Sequence, residues 1–296
     1  MRNFGRLLTA MVTPFHADHS VNYQAAGQLA EYLVSHGSDG LVIAGSTGES
    51  STLSREEKLK LFTAVLDAVG DKATVIAGTG SNNTAESITL TQEAEKLGVH
   101  GSMLVGPYYN KPTQEGFYQH FKTIADSTGL PIILYNVPGR TSSNILPATT
   151  ARLSQCPNIV AVKEASGNLD QAAEIKRTTS DDFLLYSGDD SLTLTMIAIG
   201  GAGVISVAGH VVGAQMQAMM QAYLSGDVVK ARDIHLGLLP FFKVIFITTN
   251  PIPIKTAVNL LGIDAGPLRL PLIQATVTEQ EQIQNTMRQL GVLPLT

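Results

Sequence analysis

A lysine closes an otherwise apolar run in the segment Ile159-Val160-Ala161-Val162-Lys163-Glu164-Ala165. Burying an ammonium group is unfavourable, and a lysine in such a place lowers its pKa, in extreme cases to about 5–6. A neutral amine can add to a carbonyl carbon and give a Schiff base, which can then lose a proton to an enamine. The alternatives for Lys163 are pairing with Glu164 or snorkelling out at a rim. A second segment, Ile132-Ile133-Leu134-Tyr135-Asn136-Val137-Pro138-Gly139-Arg140-Thr141, carries a phenol at the end of its run and a guanidinium in the loop beyond. Tyr135 could shuttle protons during imine formation or be a core ring with a satisfied hydroxyl. Arg140 could offer its planar fork to a carboxylate or be a surface charge. Gly45-Ser46-Thr47-Gly48-Glu49 presents two hydroxyls and several backbone donors from a tight turn. That suits a carboxylate nest, or equally a plain loop leading into a helix.

These groups need elements to position them, and the chain has a regular rhythm. Apolar runs recur at Leu7–Val12, Leu41–Ala44, Thr74–Ala77, Ser102–Val105, Ile132–Tyr135, Ile159–Val162, Phe183–Tyr186 and Gly203–Val207. Several are nearly unbroken in Val, Ile and Leu, as in parallel strands covered on both faces. Their spacing falls from roughly thirty-three residues to about twenty, the size of a βαβ repeat. Between them lie helical patterns, such as Glu56 to Val69 with Leu59, Phe62, Val65, Leu66 and Val69 on one stripe. Ser54 with Glu57 fits a capping box for that helix. The count predicts an α/β protein with a (β/α)8 TIM barrel, whose active sites lie at the C-terminal ends of the strands. Gly78-Thr79-Gly80 follows the third run, but Asn83 stands where a dinucleotide fingerprint needs its third glycine, so that segment reads as a turn. After Val207 the pattern is helical: Val211–Leu224, Val228–Phe246, Ile254–Leu261 and Glu279–Leu290, with Pro251 and Pro253 breaking the chain between two of them. The expected organisation is a catalytic barrel over 1–226 and a C-terminal helical extension over 227–296, divided near Gly226.

Composition narrows the function classes. The 296 residues include 44% hydrophobic and 15% charged residues, enough for a sizeable core and too apolar for disorder. The formal net charge of −5 argues against a general grip on nucleic acid or anionic lipid. The single cysteine, Cys156, admits neither an internal disulfide nor a cysteine metal knot and reads as a small structural residue. Arg2 and Arg6 precede an apolar run, but Thr9, Thr13 and Pro14 interrupt it, so a first core strand is expected rather than a signal peptide. No apolar stretch is long enough to span a membrane, and the expected location is the cytoplasm. His16-Ala17-Asp18-His19 has metal-ligand residue types but reads as a polar turn. Met216, Met219 and Met220 fall at helical spacing and read as core or interface packing.

Seven segments then carry a resemblance. They are Gly45-Ser46-Thr47-Gly48-Glu49-Ser50, Gly78-Thr79-Gly80-Ser81-Asn82, Pro107-Tyr108-Tyr109-Asn110-Lys111-Pro112, Tyr135-Asn136-Val137-Pro138-Gly139-Arg140-Thr141, Val162-Lys163-Glu164-Ala165, Tyr186-Ser187-Gly188-Asp189-Asp190 and Asn250-Pro251-Ile252-Pro253. In order and spacing, over nearly the whole chain, they resemble the dihydrodipicolinate synthase family. That family lies within the lysine-dependent class I aldolases and lyases that include N-acetylneuraminate lyase. The resemblance implies that Lys163 forms an imine with pyruvate and that the derived enamine attacks the aldehyde of L-aspartate 4-semialdehyde. Ring closure then releases a cyclic tetrahydrodipicolinate, in the first committed step of the diaminopimelate and lysine route. It implies that Tyr135 donates and accepts protons, linked to the hydroxyl of Ser46 and to Tyr109 inserted from a neighbouring subunit. Thr47 would hold the pyruvate carboxylate, Ile205 and Gly188 would wall the pyruvate site, and Arg140 would meet the carboxylate of the semialdehyde. Ser46 departs from the usual threonine, keeping the hydroxyl but losing the methyl that restricts its rotamer.

The same resemblance implies an L-lysine effector cleft at Ser51, Arg55, Lys58, Asn82, Glu86 and Tyr108. Arg55 and Lys58 stand where inhibited members often carry histidines, and two cations beside a cationic ligand imply weak or absent inhibition. It implies a homo-oligomer, a dimer at least and usually a tetramer, with no cofactor and no metal, because an iminium already supplies the electron sink. Three rivals remain. A sibling aldolase acting on N-acetylneuraminate or a 2-keto-3-deoxy sugar acid is opposed by Arg140 with Tyr108 and Tyr109. A metal- or phosphate-dependent barrel enzyme lacks its ligand set. A non-catalytic sensor leaves Lys163, Tyr135 and Thr47 unexplained.

Overall fold

In the computed structural model, residues 4–294 are described; Arg2 and the outermost ends of the two expected spans lie outside them. Eight parallel strands close into a barrel in sequence order: β1 (Leu7–Ala10), β2 (Gly40–Ile43), β3 (Thr74–Gly78), β4 (Gly101–Val105), β5 (Ile132–Asn136), β6 (Ile159–Glu164), β7 (Leu184–Ser187) and β8 (Gly203–Ser206). Strand β8 returns to pair with β1 through Leu8 opposite Ile205, so the sheet has no edge. Each strand matches one of the eight apolar runs, and the ends differ for local reasons. β1 ends at Ala10: the Met11 amide still bonds the Val42 carbonyl of β2, and the Val12 amide then leaves the ladder for a histidine ring. β6 reaches Glu164, two residues past the expected end, which puts Lys163 on the strand itself.

Helices follow the strands: α1 (Tyr23–Ser35), α2 (Arg55–Val69), α3 (Thr84–Leu97), α4 (Gln114–Ala125), α5 (Pro138–Thr141), α6 (Pro147–Leu153), α7 (Leu169–Thr178), α8 (Thr193–Ala198) and α9 (Gly209–Leu224). Three more complete the chain: α10 (Val228–Val244), α11 (Ile252–Leu260) and α12 (Val277–Gln289). The expected capping box is present on α2: Ser54 Oγ accepts from the Glu57 amide at 3.2 Å, and Glu57 Oε2 accepts from the Ser54 amide at 2.8 Å. Phe62, Val65 and Val69 of that helix are buried against the strands. No helix among the described residues is long and apolar enough to cross a membrane.

Two apolar environments result. Inside the barrel, Leu8, Ala10, Val42, Ile76, Met103, Ile133, Ala161, Tyr186 and Ile205 fill the bore with Tyr135 at its upper end. Phe4 joins this cluster, and the Tyr186 hydroxyl donates to the Gly5 carbonyl at 2.9 Å. Outside, strands pack on helices, and Met216, Met219 and Met220 are fully buried there beside Phe241, Ile254, Val258 and Met287 from the last three helices. The methionine triplet is core. The His16–His19 segment is the polar turn expected: Asp18 Oδ1 accepts from both the amide and the hydroxyl of Ser20.

His210, on the first turn of α9 and fully buried, ties two strand ends together. Its Nδ1 donates to the Val207 carbonyl at 2.8 Å, and its Nε2 accepts from the Val12 amide at 3.1 Å. Only the neutral ring can do both, since a protonated ring has no acceptor. Burial pushes its pKa down to about 4. The folded value lies below the unfolded value, so this stabilisation is complete above about pH 6.5 and lost as pH falls towards 4, on the order of 3 kcal/mol in all. Chemical denaturation between pH 7 and pH 4 should therefore show a falling unfolding free energy. His210→Gln, which offers a donor and an acceptor but does not titrate, should reduce that slope; an unchanged slope would remove His210 as its source.

Candidate active site

The C-terminal ends of β5 and β6 run in register, with Tyr135 opposite Lys163, and β7 continues the row with Tyr186. Successive side chains on a strand face opposite sides. Lys163 points into the barrel, and Glu164 points away into a polar cluster. There Glu164 Oε2 accepts from Asn136 Nδ2 at 2.9 Å and Gln171 Nε2 at 3.0 Å, while Oε1 accepts from the Ser166 amide at 2.6 Å. A Lys163–Glu164 pair is thus excluded by geometry. Snorkelling is excluded as well, because Lys163 is only 4% exposed.

Lys163 Nζ lies 4.4 Å from the centroid of the Tyr135 ring. Burial brings its pKa down from 10.5 to about 8; the Asp190 carboxylate resists the shift and the Arg140 guanidinium adds to it. At one unit per tenfold, the neutral amine is roughly 300 times more abundant at neutral pH than for an ordinary lysine. Asp190 explains why the fall stops well short of the extreme range. It is 1% exposed and accepts from the Ser206 hydroxyl and from the amides of Val207 and Ala208 at 3.1 and 3.0 Å. Burial raises its own pKa to about 6 against those hydrogen bonds, so it is largely ionised at neutral pH. Tyr135 is also buried, which raises its phenol's pKa; Arg140 and a hydrogen bond with the Ser46 side chain oppose the rise.

The turn after β2 is built to hold its hydroxyls in place. Ala44 and Glu49, at its two ends, both have φ of 55°, a left-handed conformation that costs a residue with a side chain about 1–2 kcal/mol. Gly48 is needed for close approach: a Cβ there would come within 3.0 Å of the Met11 carbonyl oxygen. Three contacts offset the cost. Thr13 Oγ1 donates to the Gly48 carbonyl at 2.7 Å, Lys255 Nζ to Glu49 Oε1 at 2.9 Å and the Arg269 amide to Glu49 Oε2 at 2.9 Å. The Lys255–Glu49 pair is buried on both sides, and Lys255 Nζ also reaches the Thr13 carbonyl at 2.8 Å. Thr47 is 3% exposed and its Oγ1 accepts from Asn250 Nδ2 at 2.9 Å. Arg140, exposed at the rim, donates from Nη2 to the Asn250 carbonyl at 3.0 Å.

A cavity of about 440 Å³ opens above this arrangement, lined among others by Ser46, Tyr135, Arg140 and Asn250. Lys163 and Thr47 are not among its lining residues; Lys163 reaches it only through its contact with Tyr135, and Thr47 through its hydrogen bond with Asn250. Ile205 faces the bore, and the Gly188 amide donates to the Glu164 carbonyl at 2.8 Å, where a Cβ would meet the Ala165 Cβ at 2.5 Å. Tyr109 is not brought to the others within one chain: it is 90% exposed on a left-handed φ of 69°. Ser51, Lys58, Glu86 and Tyr108 line the same cavity, and Lys58, Glu86 and Arg55 line an adjoining one of about 520 Å³. Asn82 Nδ2 donates to the Tyr108 carbonyl at 3.2 Å. Arg55 is engaged in an ion pair with Glu93, and burial lowers the pKa of Lys58 against the pull of Glu86.

The dihydrodipicolinate synthetase family model matches residues 3–290. The chain belongs to the dihydrodipicolinate synthetase family. It is accordingly an enzyme, a lyase. A Moorella thermoacetica relative named 4-hydroxy-tetrahydrodipicolinate synthase is 60% identical over 290 residues, covering 98% of this chain and 99% of the relative. A dihydrodipicolinate synthase structure from Cyanidioschyzon merolae with lysine bound superposes with a TM-score of 0.97 at 47% identity, over 98% of this chain and 99% of that one. A dihydrodipicolinate synthase from Acinetobacter baumannii complexed with pyruvate gives a TM-score of 0.95 at 35% identity, over 98% and 100%.

Asp190, Asn250, Glu49 and Lys255 were not assigned roles from sequence, although all but Lys255 sit in the family-like segments. Two lysines, Lys163 and Lys255, have pKa values lowered to about 8. NMR titration of 13C-labelled lysines should give two resonances with midpoints near 8. Asp190→Asn should lower the midpoint of Lys163 alone, because the carboxylate beside Lys255 is Glu49; equal movement of both, or of neither, would contradict the electrostatic assignment.

Proposed function

We propose that this chain is a 4-hydroxy-tetrahydrodipicolinate synthase, condensing pyruvate with L-aspartate 4-semialdehyde. The observation that carries the reading is the buried amine of Lys163, its pKa brought down to about 8 by desolvation, against a buried phenol that lines a cavity together with a guanidinium. In this mechanism Lys163 Nζ adds to the keto carbon of pyruvate, and loss of water gives a protonated imine. The Tyr135 phenol supplies the proton that turns the former keto oxygen into departing water. Removal of a methyl proton gives the enamine, whose carbon attacks the aldehyde of the semialdehyde while its oxygen takes up a proton. The amine of the new substrate portion then attacks the imine carbon, closing the ring and expelling Lys163 as the free amine. Ser46 passes protons through its contact with Tyr135. Thr47 holds the pyruvate carboxylate, Ile205 and Gly188 wall the ketone, and Arg140 meets the carboxylate of the semialdehyde. That guanidinium sets this reading above a sugar-acid lyase, whose substrates present hydroxyls at the same rim.

In the same reading Tyr109 completes the proton path across a boundary between two copies of the chain. Its 90% exposure on a left-handed backbone supports an interface role, with a dimer as the minimum and a tetramer as the full assembly. The catalytic unit is the barrel over 1–226 and the helical unit 227–296, with Gly226 at φ 89° as the supporting break after α9. The enzyme works in the cytoplasm on small charged metabolites. L-Lysine is a candidate effector at Ser51, Arg55, Lys58, Asn82, Glu86 and Tyr108. Glu86, the carboxylate suited to a ligand ammonium, already acts on the half-buried Lys58, which supports weak inhibition.

Borohydride reduction with pyruvate should leave a covalent adduct on the peptide containing Lys163, and Lys163→Arg should abolish both adduct and turnover. Arg140→Ala should keep the adduct and weaken use of the semialdehyde far more than imine formation; equal loss of both steps would remove Arg140 from the second substrate. Activity should survive millimolar L-lysine, and Lys58→His should increase sensitivity. Strong inhibition of the unaltered enzyme at sub-millimolar lysine would overturn the charge argument.

A further inference from the structure

The Asn250-Pro251-Ile252-Pro253 segment has no role in the mechanism above, yet Asn250 is 5% exposed and reaches back across the barrel mouth to Thr47. A hydroxyl has one proton and two lone pairs. Thr47 Oγ1 spends a lone pair on Asn250 Nδ2 at 2.9 Å, and among the described residues its proton has no acceptor. The other end of the amide, Oδ1, is buried with no partner. Leaving a buried acceptor unsatisfied costs about 1–3 kcal/mol. The amide could avoid that cost only by turning over, which would draw the Thr47 proton onto Oδ1 and leave both N–H bonds of Nδ2 without an acceptor, where the present orientation pairs one of them with Thr47. The orientation in the structure keeps the hydroxyl proton free to meet an anion.

The rest of the turn does not depend on Asn250. Glu49 is held independently by Lys255 Nζ and the Arg269 amide, and Gly48 by Thr13. Loss of the Asn250 amide would therefore release the Thr47 hydroxyl rotor without releasing the backbone beneath it.

We infer that Asn250 is a positioning residue for the first substrate: its amide occupies the acceptor side of the Thr47 hydroxyl and directs the hydroxyl's proton at the carboxylate of the keto acid. This rests on the reading of Thr47 as the group that holds that carboxylate.

Steady-state kinetics of Thr47→Val, Asn250→Ala and the double variant test it. Each single substitution should raise the KM for pyruvate about tenfold to a hundredfold, the range of a hydrogen bond to a charged group, and affect kcat less. The double variant should have a KM no higher than the worse single variant, because both remove the same interaction. A KM equal to the product of the two effects, or an Asn250→Ala variant with unchanged KM, would overturn the inference while leaving Thr47 in place. An unchanged KM for Thr47→Val would overturn the Thr47 reading and the inference with it. Asn250→Asp provides a second route should Asn250→Ala not fold, since it keeps the shape but draws the hydroxyl proton to a carboxylate. Its pyruvate KM should rise further than that of Asn250→Ala, or than that of Thr47→Val where the alanine variant is not obtained; a value matching the unaltered enzyme would overturn the inference.

Discussion

The site depends on desolvation of one amine. A closed barrel whose bore is filled by Ala161, Ile133, Met103 and Ile205 offers Lys163 almost no water, and this lowers its pKa. The same burial, unopposed, would disfavour any positive charge on that nitrogen. Asp190, fixed by Ser206 and two backbone amides, sets a limit by keeping a negative charge within electrostatic reach. In the proposed chemistry the result is a compromise between a nucleophile that must be uncharged and an intermediate that must carry a positive charge.

Geometry at the mouth comes from two distant parts of the chain. The strands supply Tyr135 and Lys163 at a fixed register, which a closed sheet holds rigidly. The turn after β2 is strained at both ends and is held by residues from the C-terminal region. The buried Lys255–Glu49 pair there has its hydrogen bonds satisfied, the condition under which such a pair is tolerated. Removing one partner would typically destabilise by about 3–5 kcal/mol, because the other charge would remain buried. The last helices therefore contribute directly to the catalytic mouth as well as to the outer core.

Much of this was legible in the sequence, because periodicity and chemical oddity are local. The eight apolar runs mark the eight strands, and Lys163 is conspicuous as a cation ending one of them. Tyr135 and Arg140 follow from the same kind of reading of β5 and its loop. Individually these residues admitted bland alternatives, and only the concordance of seven segments favoured one chemistry. Asp190, Asn250 and Lys255 escaped because their partners are remote: 16 residues away for Asp190 and Ser206, 203 for Asn250 and Thr47, and 206 for Lys255 and Glu49. No pattern along a chain expresses a contact of that separation. The direction of Glu164 was likewise open until strand alternation was fixed in three dimensions.

The Lys255–Glu49 link has a practical consequence for redesign. Loop exchange is the usual way to give a barrel a new substrate, on the assumption that each βα loop is a module. Here the loop after β2 and the helix beginning at Ile252 form one unit split across the gene. A graft that brings a foreign loop without its downstream partner would strand a buried charge and discard the support for a strained turn. Libraries built on this scaffold should vary the two segments together.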